Sequence, residues 1–126
     1  MRFRLLLIGL LFLTFLPLEA AADPIAAIHQ TEVTLQAPVK QGEHAVGRFV
    51  LQNAGNMPLV VDKVAPSCGC SVTSFDRVID PGGWGRVDLL VNTRGQEGHH
   101  VKRAIIYTND PKKPKIWITI IYDVFR

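Results

Sequence analysis

The chain has 126 residues, 48% of them hydrophobic and 20% charged, with a formal net charge of +3 and two cysteines. That length suits one domain with a modest core. The charge is too slight to argue for nucleic-acid binding, and two cysteines cannot build the framework of a disulfide-dense secreted scaffold.

At the N-terminus, Arg2 and Arg4 precede an apolar run from Leu5 to Leu16. Pro17 breaks the run, and Ala20-Ala21-Ala22 then offers the small residues a signal peptidase reads. The run is shorter than the roughly 20 apolar residues of a transmembrane helix. Residues 1–22 are therefore expected to be a signal peptide cleaved after Ala22, and residues 23–126 an exported domain, periplasmic or secreted. No cysteine stands at the cleavage point, so no lipid anchor is expected. Cleavage removes Arg2, Arg4 and Glu19 and lowers the net charge to +2.

Beyond Asp23-Pro24 nearly every segment reads as a short strand bounded by turn residues. The expected strands are Ile28–Ala37, His44–Asn53, Leu59–Ala65, Cys70–Phe75, Trp84–Asn92, Val101–Thr108 and Lys115–Phe125. Between them lie Gln41-Gly42, Asn53-Ala54-Gly55-Asn56, Asp80-Pro81-Gly82-Gly83, Arg94-Gly95, Gly98 and Asn109-Asp110-Pro111. Glycine supplies positive φ at such turns and proline presets φ near −65°. Seven short strands at this spacing predict an all-β fold, a seven-stranded antiparallel immunoglobulin-like β-sandwich. Trp84, set among glycines, is expected to cap one end of the core. Lys112, Lys113 and Lys115 flank Pro111 and Pro114 and read as a solvated turn rather than a phosphate site.

Alternation separates the faces of each strand. Phe49 and Leu51 oppose Arg48 and Gln52, and Val87, Leu89 and Val91 oppose Arg86 and Asp88. The last two strands break the rule, because both of their faces are apolar. Ile116, Ile118 and Ile120 alternate with Trp117, Thr119 and Ile121, and Ala104 and Ile106 alternate with Ile105 and Tyr107. If these strands form a hairpin, Ile105, Tyr107, Trp117 and Ile121 gather on one outer face. Such a patch marks a partner surface, unless the N-terminal segment or a neighbouring loop covers it.

Cys68-Gly69-Cys70 holds both cysteines of the chain. A disulfide between them closes a loop of about three residues, worth about 1.6 kcal/mol in chain entropy against about 4.7 for a hundred-residue loop. A stabilising staple is thereby set aside, and three local readings stay open. In an extended segment both sulfurs face one side with Cα atoms about 6.5–7 Å apart, at the outer limit of disulfide geometry. Gly69 lets the backbone curl and shorten that span, giving an easily reduced bridge. The same convergence suits a soft ion, Cu(I) or Zn(II). The third reading is a pair of small buried hydrophobes. Counting strands up and down puts this turn at the same end as the Pro38–His44 turn and the Thr93–His100 loop. His44 and one of His99 and His100 could then complete a metal set of Cys68, Cys70, His44 and His99, whereas His29 and Met57 belong to the other end.

An ordered series of short motifs runs through the mature chain. It comprises Gln41-Gly42-Glu43, Phe49-Val50-Leu51-Gln52-Asn53-Ala54-Gly55, Pro58-Leu59-Val60-Val61, Ser67-Cys68-Gly69-Cys70, Asp80-Pro81-Gly82 and Tyr107-Thr108-Asn109-Asp110-Pro111. Over about residues 30–124 the chain resembles a bacterial domain-of-unknown-function family with an immunoglobulin-like β-sandwich and a Cys-Gly-Cys signature, related to hydin-type and major-sperm-protein-like domains. The resemblance implies a seven-stranded sandwich in an extracytoplasmic setting and supplies no enzymatic activity. His99-His100 departs from that pattern.

No Gly-x-Ser-x-Gly elbow, His-Glu-x-x-His helix or phosphate loop is present in the sequence. The expectation is an exported, non-enzymatic binding module of the cell envelope, with a protein or envelope component as partner and no cofactor. The alternative is a periplasmic copper- or zinc-binding or thiol-redox protein centred on Cys68 and Cys70.

Overall fold

Along His44–Asn53, Ala45, Gly47, Phe49, Leu51 and Asn53 are buried, while the residues between them face outward. That two-residue period is a strand with one face on the core, and it recurs through the chain. The structure, a computed structural model, describes residues 22–67 and 71–126; residues 1–21 and Cys68-Gly69-Cys70 lie outside the described residues.

Among the described residues ten strands follow in order: β1 (Ala26–Ile28), β2 (Glu32–Thr34), β3 (Val39–Lys40), β4 (His44–Asn53), β5 (Leu59–Pro66), β6 (Ser71–Phe75), β7 (Val78–Ile79), β8 (Trp84–Asn92), β9 (Gly98–Thr108) and β10 (Lys115–Phe125). One sheet has the order β1-β4-β8-β6. The other has the order β2-β10-β9-β5-β7, with β3 also on β10. Two sheets face to face around one core make the expected immunoglobulin-like sandwich. Among the described residues no helix is long and apolar enough to cross a membrane.

The strand count differs from seven for a physical reason. The expected strand Ile28–Ala37 is divided, because the chain changes sheets within it. Ala26–Ile28 pairs antiparallel with Leu51–Asn53 of the first sheet. Glu32–Thr34 then pairs in parallel with Thr119–Ile121 of the second, and Val39–Lys40 continues along β10. One first strand thereby closes an edge of each sheet. The short β7 is an addition; it pairs with Leu59–Val60 and carries buried Ile79.

Phe49, Leu51, Val87, Leu89 and Val91 from one sheet meet Leu59, Val61, Ile106, Ile118 and Ile120 from the other, all at 1% exposure or less. Each such side chain contributes about 1.5–3 kcal/mol on burial. At the centre the sheets approach so closely that a Cβ on Gly47 would lie 3.1 Å from Ile120 Cδ1. A larger residue there would require the Ile120 side chain to give by a few tenths of an ångström.

Polar hubs close the two ends. At one, Asn53 is wholly buried, and its carboxamide accepts from the amides of Gly55 (3.0 Å) and Ile25 (3.3 Å) and donates to the carbonyls of Met57 (2.7 Å) and Ile79 (3.0 Å). At the other, the Thr93 hydroxyl accepts from the Gly42 amide at 2.9 Å and donates to the Glu43 carbonyl. The Gln41 side chain also donates to the Gln96 carbonyl at 2.9 Å. The loops 41–43 and 93–96 are thus fastened together at one end of the sandwich.

Candidate binding face

The antiparallel register of β9 and β10 sets Lys115 opposite Tyr107, Trp117 opposite Ile105, Thr119 opposite Arg103 and Ile121 opposite Val101. All eight residues share the parity that points away from the core, since their neighbours Ala104, Ile106, Ile116, Ile118 and Ile120 are buried. Ile105, Tyr107, Trp117 and Ile121 therefore do occupy one outer face. Trp117 is 56% exposed and Val101 47%, while Ile105, Tyr107 and Ile121 are half-buried. The described part of the N-terminal segment lies elsewhere: Ala26–Ile28 is held on β4, and β2 runs along the edge of β10.

On the other side of β9, β5 contributes Lys63 beside Tyr107 and Ala65 beside Ile105. The Lys63 ammonium lies 4.6 Å from the centre of the Tyr107 ring, and that of Lys115 lies 5.6 Å from it. Two cations thus converge on one aromatic ring, each within cation–π range. Arg103 is exposed two residues along β9 from Ile105. The face is apolar and aromatic along its middle and cationic at intervals.

Parity alone would have added Val101, Arg103 and Lys115 to the patch. Lys63 was hidden by an irregularity in β5, where the register shifts between Val61 and Lys63 and both Asp62 and Lys63 turn outward. A bulge of this kind breaks strict alternation.

The first sheet has a different outer surface. Arg48 and Arg86 flank Asp88, at 4.0 and 3.4 Å. Trp84, expected as a cap of the core, is instead 57% exposed on this surface and stacks on His29 with ring centres 6.1 Å apart. The reason is its register: Trp84 stands opposite Gln52, on the outward parity of β8. Beside it a groove of about 290 Å³ is lined by His29, Gln30, Arg48, Phe49 and Val50. It lies along β4 where β1 stops pairing.

The cysteine pair falls outside the described residues, so the disulfide, metal and packing readings of Cys68 and Cys70 all rest on spacing. The flanking residues are placed: the Ser67 amide donates to the Arg103 carbonyl at 2.8 Å in one sheet, and Ser71 pairs with Val91 in the other. Asn92, next to Val91, stands opposite His44. His44 and His99 are not brought together, because each points away from the core on a different sheet. The His99 Nδ1 is 2.9 Å from the Asp123 carboxylate. His100 turns the other way and stacks on Tyr122 at 5.6 Å. Among the described residues no three His, Cys, Asp or Glu side chains are grouped to hold a metal ion.

The Tyr122 ring is buried, and its hydroxyl donates a 2.6 Å hydrogen bond to the Gln96 side chain. Burial pushes its phenol up, and the bond to Gln96 only partly offsets this.

A family model described as "Protein of unknown function (DUF1573)" matches residues 26–121. The comparison with curated proteins found no match. Among solved structures, a protein of unknown function from Porphyromonas gingivalis W83 superposes with a TM-score of 0.67 at 21% identity, over 86% of this chain and 51% of that one. This chain therefore spans about half the length of that relative. The PapD-like domain 7 of human CEP192 gives a TM-score of 0.61 at 13% identity, over 87% of this chain and 92% of that one. The Escherichia coli chaperone DraB gives 0.56 at 12% identity, over 80% and 56%. At these identities the likeness is one of fold.

Proposed function

Because the chain belongs to the DUF1573 family of proteins of unknown function, we propose a role for it from its own surface: an exported, non-enzymatic immunoglobulin-like module of the bacterial cell envelope that binds a protein or envelope component through the outer face of β9 and β10. The observation that carries this reading is the exposure of this face among the described residues. Trp117, 56% exposed, stands directly opposite Ile105, with Tyr107 and Ile121 to either side. Contiguous aromatic and aliphatic surface of this kind is costly to leave in water and is where binding energy concentrates. The Arg2–Ala22 pattern supports export, and the likeness in fold to a bacterial chaperone is in keeping with protein handling.

The test is capture of partners from a cell-envelope extract by the tagged, exported protein. Trp117→Ser combined with Tyr107→Ser should abolish capture while leaving the thermal unfolding transition cooperative. Unchanged capture by that variant would remove the face from consideration.

A further inference from the structure

The outer face of β5, β9 and β10 is organised in rows. Lys63, Tyr107 and Lys115 form one row, Ala65, Ile105 and Trp117 the next, and Arg103 with Thr119 the third. Rows on one face of a sheet are about 6.7 Å apart, so the first and third are separated by about 13 Å. The first row carries two cations and the middle row is apolar, while the third carries Arg103 and, beyond Thr119, the exposed Glu32 of β2.

These cations stand outside the ion pairs formed among the described residues. Among the described residues, no carboxylate comes within 4.0 Å of the side-chain nitrogens of Lys63, Lys115 or Arg103. The acidic residues nearest in register are Asp62, beside Lys63, and Glu32, opposite Thr119 on β2, and neither forms such a pair. Asp123, farther along β10, is engaged by His99. Lys63 and Lys115 are nonetheless drawn to one ring, where their like charges repel unless an anion lies between them.

We propose that this face docks an extended, acidic segment of a partner protein, with one carboxylate between Lys63 and Lys115 over Tyr107, an apolar side chain against Trp117 and Ile105, and a second carboxylate at Arg103. The proposal rests on the binding face described above and specifies its partner. Charge complementarity selects an anion, and the row spacing selects an extended chain. Alternate residues of a strand share one side and repeat every 6.7 Å or so, which sets acid, apolar and acid groups at positions i, i+2 and i+4 in step with the three rows. A fluid membrane surface holds its anions at no fixed spacing and so does not match the row repeat.

The probes are labelled synthetic peptides of repeating glutamate-serine-leucine-serine, of the same repeat with lysine for glutamate, and of the glutamate repeat with serine for leucine. Fluorescence anisotropy with the exported protein should show the glutamate–leucine peptide binding about tenfold or more tightly than the lysine peptide. Its affinity should fall as sodium chloride is raised. Lys63→Glu with Lys115→Glu should remove the preference without changing thermal unfolding, since both side chains are exposed. Trp117→Ser should abolish the advantage of leucine over serine and leave the weaker charge-driven binding. Equal binding of the acidic and basic peptides, or full binding by the charge-reversed variant, would overturn the proposal. So would capture of phosphatidylglycerol vesicles with no response to the peptides, which would assign the face to lipid. If the peptides fail while Trp117→Ser with Tyr107→Ser still abolishes envelope capture, the acidic chemistry is wrong and the face stands. If both fail, the face itself is withdrawn.

Discussion

The backbone amide of Ala26 donates a 2.9 Å hydrogen bond to Oδ2 of Asp110, 84 positions away in sequence. The other carboxylate oxygen accepts from Lys112 at 2.9 Å, and the Asp110 amide donates to the Thr108 hydroxyl at 3.1 Å. Asp110 thus fastens the start of the domain to the hairpin that joins its last two strands.

Burial pushes the Asp110 carboxyl up, but the amides of Ala26, Lys112 and Lys113 and the charge of Lys113 outweigh it and leave the group below its ordinary value. A carboxyl depressed in the folded state stabilises fully above the unfolded value of about 3.9, and that stabilisation is lost as pH falls through the lower folded value. The melting temperature should therefore drop between about pH 5 and pH 2. Asp110→Asn should flatten that part of the curve and cost about 1–3 kcal/mol at neutral pH. Melting followed by circular dichroism across the acid range checks both.

Asn53→Ala should cost about 1–3 kcal/mol, because four backbone groups, the buried Ile79 carbonyl among them, lose their partners together. Urea denaturation should show a lower midpoint with an unchanged slope. Asn53→Asp should not rescue it, since a carboxylate keeps the acceptors but cannot donate to the Met57 and Ile79 carbonyls.

Gly55→Ala tests how the N-terminal segment is seated. A Cβ there would fall 2.1 Å from the Asp23 carbonyl oxygen and 2.7 Å from the Ile25 nitrogen. Backbone cannot yield as a flexible side chain can, so residues 23–26 should detach, at about 1–3 kcal/mol. Hydrogen exchange at the Ala26 amide should accelerate. The Asp110 carboxyl, measured by NMR titration, should rise once that donor is lost.

Tyr122→Phe keeps the ring and removes the bond to Gln96, at about 1 kcal/mol. A phenol raised in the folded state stabilises below the unfolded value of about 10, and that stabilisation is lost as pH climbs through the raised folded value. Wild-type stability should fall from about pH 10 upward, and Tyr122→Phe should lessen that fall. Equilibrium unfolding at pH 8 and pH 11 compares the two.

How much was legible in the sequence follows the reach of each signal. Strand identity lies in residue-to-residue alternation, so His44–Asn53, Trp84–Asn92 and Lys115–Phe125 appear with their expected bounds. The division of Ile28–Ala37 between the two sheets does not show, because a change of sheet is governed by which edge is vacant. Trp84 was misplaced for a related reason: three neighbouring glycines suggested a cap, whereas its register opposite Gln52 decided that it faces outward.

By itself the sequence determined the all-β sandwich and the second apolar side of the last two strands, since side-chain alternation on an extended backbone needs no tertiary information. Only the tertiary structure decided that β5 lies against β9, carrying Lys63 past a bulge to the ring that Lys115 also approaches. It alone placed His44 and His99 on opposite sheets. Which faces meet across 40 or 50 residues depends on sheet order, and sheet order is set by the collective burial of the core rather than by any local stretch of chain.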